Sequence, residues 1–178
     1  VVAPLHHPVR IAEEWSVVDN LSNGRVGVSF ASGWNPDDFL FFPDRYATRQ
    51  EQVFETMGAV QRLWRGEAFS GTSGVGQPAN VKIFPRPVQK ELPVWVTVAG
   101  NPKNFERAGS SGAHLLTHLL DQDETVLASR IALYRDARAA AGFDPATGIV
   151  SLMIHTLVGE DADVVREQAR GPYCNYIK

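Results

Sequence analysis

The sequence is poor in the residues that would anchor a covalent or metal scaffold. It has a single cysteine, Cys174, so no internal disulfide can form. No combined Cys/His spacing resembles a zinc site. These facts exclude a disulfide framework and a structural zinc module, and no metal site is expected. A lone thiol fits a reducing, cytoplasmic setting. Excess charge of one sign is also missing: 17 Lys and Arg stand against 20 Asp and Glu, a net charge of −3. That leaves no electrostatic case for nucleic acid or an anionic membrane. No apolar run approaches the roughly 18 residues needed to span a bilayer. No G-x-G-x-x-G turn follows the first apolar segment, so a dinucleotide-binding Rossmann domain is not expected. Neither an initiator methionine nor a signal peptide opens the chain.

What is present is a globular composition of 178 residues, 44% hydrophobic and 21% charged, with a pattern of alternating strands and helices. Val1–Leu5 resembles the end of a buried strand, and Pro8 suits the first residue of a helix. Ile11, Trp15 and Val18 share one face of that helix, which Asn23-Gly24 closes. Residues 25–30 form the next strand, followed by a loop from Ala31 to Asp38. Thr48 and Glu51 make a capping box for a helix carrying Val53, Met57, Val60 and Trp64 inward, up to Gly66. Residues 67–92 form an irregular insertion, rich in Gly, Ser and Pro, with one extended piece at 81–84.

Strand 94–98 turns through Ala99-Gly100-Asn101-Pro102 into a helix capped by Asn101. A strand at 114–118 follows. Asp121 and Glu124 open a helix with Leu127, Ile131 and Tyr134 inward. A final strand at 149–158 leads to a helix that Gly171-Pro172 stops. About five βα units result. Their strands are apolar runs, as expected of parallel strands covered by helices. The fold class is therefore α/β, a TIM-type (β/α)8 barrel or part of one.

In such barrels, chemistry gathers at the carboxyl ends of the strands. Those positions hold His6 and His7, then Ser32, Gly33 and Trp34, then Gly100, Asn101 and Asn104, then Thr117 and His118, and finally His155 and Thr156. The turn at Gly100 combines free backbone N–H groups at a helix start with a residue that allows close approach, which suits a phosphate. An ordinary N-cap after a strand needs the same residues. Trp34 either borders a planar cofactor or serves as a core or lid residue. His118 and His155 are catalytic or merely structural. Arg49 reaches a phosphate or pairs with a surface carboxylate.

Three segments carry a resemblance. They are His7-Pro8-Val9-Arg10-Ile11-Ala12-Glu13-Glu14, Leu21-Ser22-Asn23-Gly24-Arg25, and the Ser29-Phe30-Ala31-Ser32-Gly33-Trp34 loop. Together they resemble the luciferase-like flavin monooxygenases, in a form similar to domains that accompany nonribosomal peptide and polyketide synthases. The likeness extends through Leu157–Asp161 and Arg170–Tyr173, essentially the whole chain.

The resemblance implies a single partial barrel domain that binds reduced FMN, supplied by a separate flavin reductase, and oxygenates its substrate with dioxygen. It implies Arg49, Gly100, Asn101 and Asn104 at the FMN phosphate. Ser32, Gly33 and Trp34 would lie along the ribityl chain and ring, and His118 and His155 would face ring or substrate as candidate catalytic residues. A carrier-protein-bound substrate in natural-product biosynthesis fits the subgroup. An F420-dependent oxidoreductase is the alternative within the superfamily. A non-catalytic flavin-binding or partner subunit is the alternative outside catalysis.

The strands correspond to the third through seventh of the family barrel, which normally needs about 250 residues. The chain is thus expected to be a fragment, and alone either to oligomerise through its sheet edges or to remain unstable.

Overall fold

The structure is a computed structural model that describes residues 1–120 and 122–177. Its frame is a parallel sheet of β1 (Val28–Phe30), β4 (Val94–Thr97), β5 (His114–His118) and β6 (Val150–Met153), in that order. Val2 adds a single parallel bridge to Ala31 beyond β1. Helices α1 (Pro8–Ser22), α2 (Arg49–Arg65), α3 (Pro102–Ser110), α4 (Glu124–Ala140) and α5 (Ala162–Tyr176) follow the successive strands. The α/β, parallel-sheet expectation thus agrees with the structure, with the first strand reduced to one bridge. The sheet is open, running from β1 to β6 without closing on itself.

Strands β1, β4 and β5 alternate between a buried and a half-open face, whereas β6, at the sheet edge, buries no residue. Val28, Phe30, Val94, Val96, Val98, Leu115 and Thr117 point toward the helices and are buried. The opposite face carries Ser29, Trp95, Thr97, His114 and His118, all half-exposed. It is held by polar contacts: Ser29 Oγ and Thr97 Oγ1 are 2.7 Å apart, and Trp95 Nε1 donates to Ser151 Oγ at 3.2 Å. Polar residues are therefore collected on the face away from the helices, while the apolar core fills the helix side.

Several local expectations need correction. β1 starts at Val28, not residue 25, because its partner Pro93 offers only a carbonyl, which accepts from Val28 N–H at 3.0 Å. Val18 is exposed, and α1 instead buries Ile11, Ala12, Ser16 and Asp19. Thr48 precedes α2 without a side-chain cap to the backbone; its hydroxyl accepts from Gln52 Nε2 instead. Residues 67–92 hold an antiparallel hairpin, β2 (Phe69–Thr72) with β3 (Pro78–Val81), rather than only an irregular run. Asp121 lies outside the described residues, and Asp123 caps α4 by accepting from Val126 N–H.

Helix α5 runs through Gly171-Pro172 to Tyr176. Proline's fixed φ fits a helix, and the bond it forfeits is to the carbonyl of Gln168 on a helix with no buried residue, where water serves that carbonyl.

The tightest helix contact is α3 against α4, at Gly109. A Cβ there would lie 2.2 Å from the Tyr134 carbonyl oxygen and 3.1 Å from Ala137 Cβ. Gly109→Ala is expected to destabilise the protein by about 3 kcal/mol, read as a lowered urea midpoint at unchanged slope.

Below this contact, the buried Arg138 donates to the carbonyls of Gly112 and Ala113 and to Thr147 Oγ1, with no carboxylate partner among the described residues. Burial, and secondarily the Arg138 charge, hold the His114 imidazole below its ordinary pKa of 6.5. Its Nδ1 accepts from Ile149 N–H at 3.2 Å, a bond only the neutral ring can make. A depressed folded pKa means the unfolded chain takes up the proton first. Stability is therefore full above pH 6.5 and falls as the pH drops through the lowered value. His114→Asn is expected to flatten that decline in melts taken between pH 7.5 and 5.

Candidate active site

The carboxyl ends of β1 and β4 bring two helix starts together. Arg49 and Gln50 are the first residues of α2. Asn101 caps α3, its side chain accepting from Lys103 N–H at 3.1 Å, and Asn104 lies in the first turn. Gln50 joins the two: its Nε2 donates to Ser32 Oγ at 3.1 Å and its Oε1 accepts from Asn104 Nδ2 at 3.1 Å. A small cavity of about 10 Å³ sits here, lined by Ser32, Gln50, Thr97 and Asn104 with Val53, Phe54 and Val96. The positive ends of two helix dipoles meet at this place, which favours an anion.

Arg49 is beside it. One Nη donates to the Tyr46 carbonyl at 2.7 Å, and the guanidinium carbon lies 4.0 Å from the Tyr46 ring centroid. Its Nε is buried without a hydrogen-bond partner, and among the described residues Arg49 forms no ion pair. A buried, unpartnered donor on a fixed cation is costly unless something accepts from it. Gly100 is half-buried, and the nearest atom to a Cβ built on it is Arg130 Nη1 at 4.0 Å. The protein's own packing therefore does not demand glycine at this position, and the space in front of it is free for a ligand.

The remaining sequence candidates are more dispersed. Gly33 takes φ +77° where a Cβ would meet Val2 at 2.9 Å, so glycine is required there by the chain itself. Trp34 is 84% exposed and is neither core nor lid in this conformation. His118 ends β5, half-buried, with Nδ1 accepting from Leu120 N–H at 3.2 Å. His155 is not in a strand: β6 stops at Met153, paired with His118, because β5 offers nothing further to pair with. Its exposed ring packs on Tyr173 and Tyr176 of α5, with centroids 5.4 and 5.0 Å away.

Gln50 and Arg130 are absent from the sequence candidates. Their signals were present but weak: Gln50 follows Arg49 in the first helical turn, and Arg130 is one helical turn beyond Leu127. A more open cleft, about 560 Å³, is elsewhere, between the start of α1 and the flank of α2, and is lined by His6, His7, Arg45, Glu51 and Glu55 among others. Its mixed charges and open shape give no convergent donor set. Among the described residues no three His, Cys, Asp or Glu come close enough to hold a metal. No helix there is long and apolar enough to cross a membrane.

The sequence matches the profile of the luciferase-like monooxygenases over residues 1–177. The chain belongs to that family. An uncharacterized protein of Mycobacterium tuberculosis is 31% identical over 85% of this chain and 53% of its own length. The oxygenase component of a flavin-dependent trigonelline monooxygenase from Acinetobacter baylyi is 28% identical over 69% of this chain and 35% of its own length. The chain thus spans about half the length, or less, of these relatives.

Among solved structures, monooxygenase RslO1 from Streptomyces bottropensis superposes with a TM-score of 0.79 at 26% identity, covering 99% of this chain and 54% of that one. Two more distant structures share the fold. One is the oxygenating constituent of a Pseudomonas putida 3,6-diketocamphane monooxygenase in complex with FMN (TM-score 0.75, 17% identity, 98% and 52% covered). The other is an F420-dependent secondary alcohol dehydrogenase (TM-score 0.69, 21%, 93% and 50%). The parallel α/β sheet here corresponds to about half of each of these structures.

Proposed function

We propose that this chain carries the phosphate-binding part of an FMN-dependent monooxygenase of the two-component kind, with reduced flavin delivered by a separate reductase. The observation that carries the proposal is the orphaned Nε of Arg49 beside two converging helix starts. The residues fit the group: Arg49 supplies a cation, the α2 and α3 starts supply the positive ends of their helix dipoles, Gly100 leaves room, and Ser32 and Asn104 supply side-chain donors. Bound reduced flavin supplies the electrons that activate dioxygen. The chain's own contribution is to bind and orient the phosphate end, with the polar face of the sheet, Ser29, Thr97 and His118, bordering the space beyond it.

A carrier-bound or small organic substrate from natural-product assembly remains the proposed substrate class, supported by the sequence likeness to synthase-associated domains. His118, at a strand end on the open face, is the better proton-transfer candidate. His155 is proposed only as a residue near substrate, since its ring is held by α5.

Titration of the intact protein with FMN, followed by fluorescence quenching, tests the proposal. Saturable binding tighter than that of riboflavin is expected, and absence of binding overturns it. F420 dependence is the second reading, favoured by a 25%-identical relative, a hydroxymycolic acid dehydrogenase of M. tuberculosis that is F420-dependent. Dioxygen uptake with reduced FMN, against reduction of F420 by an alcohol, separates the two.

A further inference from the structure

We infer that Gln50 is a positioning residue that fixes the hydrogen-bond polarity of the anion site, so that Ser32 faces the ligand as a donor. The inference rests on the phosphate-site reading above and extends it to a residue outside the expected ligand set. Gln50 Nε2 occupies a lone pair of Ser32 Oγ, and Gln50 Oε1 takes one N–H of Asn104. The three side chains form a directed relay from α3 through α2 to the loop after β1. Because Gln50 donates to it, the Ser32 hydroxyl proton points away from Gln50 and is free to be given elsewhere. Among the described residues it finds only the Gly33 carbonyl, at 3.4 Å, which is a weak bond. A phosphate oxygen is a better acceptor and would take that proton.

The relay also ties the first turn of α2 to the first turn of α3, across 54 residues of sequence. It therefore holds the two positive helix ends together against their mutual repulsion. An anion between them relieves that repulsion, so the same amide that sets polarity also pre-organises the site. Ser29 and Thr97, 2.7 Å apart beneath the cavity, bond to one another.

Gln50→Glu tests the inference, because the carboxylate is isosteric but reverses the polarity. Ser32 then donates to residue 50, and a negative charge stands beside the phosphate. Dissociation constants for FMN and for riboflavin, which lacks the phosphate, are measured on wild type, Gln50→Glu, Gln50→Leu and Ser32→Ala, with a thermal melt of each. The expected result is a loss of FMN affinity of at least about tenfold for Gln50→Glu, with riboflavin changed less than about threefold. Gln50→Leu and Ser32→Ala should each lose less, and their losses should not add in the double variant.

Equal losses for both flavins would show that Gln50 is merely structural and would overturn the inference. So would FMN binding in Gln50→Glu at the wild-type level. If wild type itself does not prefer FMN to riboflavin, the phosphate-site reading has failed, and the inference falls with it. The wild-type titration thus separates that failure from a failure of Gln50 alone.

Discussion

Asp19→Ala is expected to cost about 3–5 kcal/mol. Asp19 is fully buried on α1. One carboxylate oxygen accepts from the backbone N–H groups of Val88 and Gln89 at 2.8 and 2.9 Å, and the other from Gln89 Nε2 at 2.8 Å. Truncation leaves three donors without acceptors in a partly buried segment. The segment it holds, residues 85–92, also ties down α2: Trp64 Nε1 donates to the Gln89 carbonyl, and Arg86 caps the last carbonyls of α2 at Leu63 and Trp64.

Asp19→Asn should recover only part of the loss. Its amide can serve the two backbone donors but then confronts Gln89 Nε2, and flipping Gln89 sacrifices that group's bond to the Val26 carbonyl. Urea unfolding of the wild type and both variants should rank them wild type, Asn, Ala. Wild-type stability in Asp19→Ala would show that water replaces the carboxylate.

Arg49→Ala is expected to weaken FMN binding by about 2 kcal/mol, roughly 30-fold, the value of a charge-assisted contact to phosphate. Riboflavin should be affected far less. Arg49→Lys should restore the charge but not the forked geometry, and so recover only part of the affinity. Because Arg49 also stacks on Tyr46 and donates to its carbonyl, melts of each variant are needed beside the titrations. Unchanged FMN affinity in a folded Arg49→Ala protein would remove the cation from the site.

Much of the fold was legible because its signals are local. The spacing of Val53, Met57, Val60 and Trp64 marks the buried face of α2, and all four are buried. Strand β5 has the predicted ends, and Asn101 caps α3. What escaped were contacts made by polar side chains over long separations. Asp19 and Arg138 read as surface residues by type and are buried because backbone donors and carbonyls from distant segments satisfy them. Strand length was misjudged in 149–158 because an apolar run says nothing about where its pairing partner ends.

The candidate site divides in the same way. Gly100, Asn101 and Asn104 follow from a strand-to-helix turn, whereas Gln50 becomes visible only when α2 and α3 are brought side by side.

The β2–β3 hairpin has an engineering consequence. The sheet passes directly from β1 to β4, so the hairpin between them in sequence contributes nothing to the parallel register. Its base leans on the start of α1 through Phe69 and the N-cap His7, 4.9 Å apart, while a side chain added at Gly74 in its tip would have no neighbour within 4 Å. With the return path clamped by Asp19, that tip is a modular port. A spectroscopic label or an inserted peptide can be carried there, remote in connectivity from the helix starts that hold the anion.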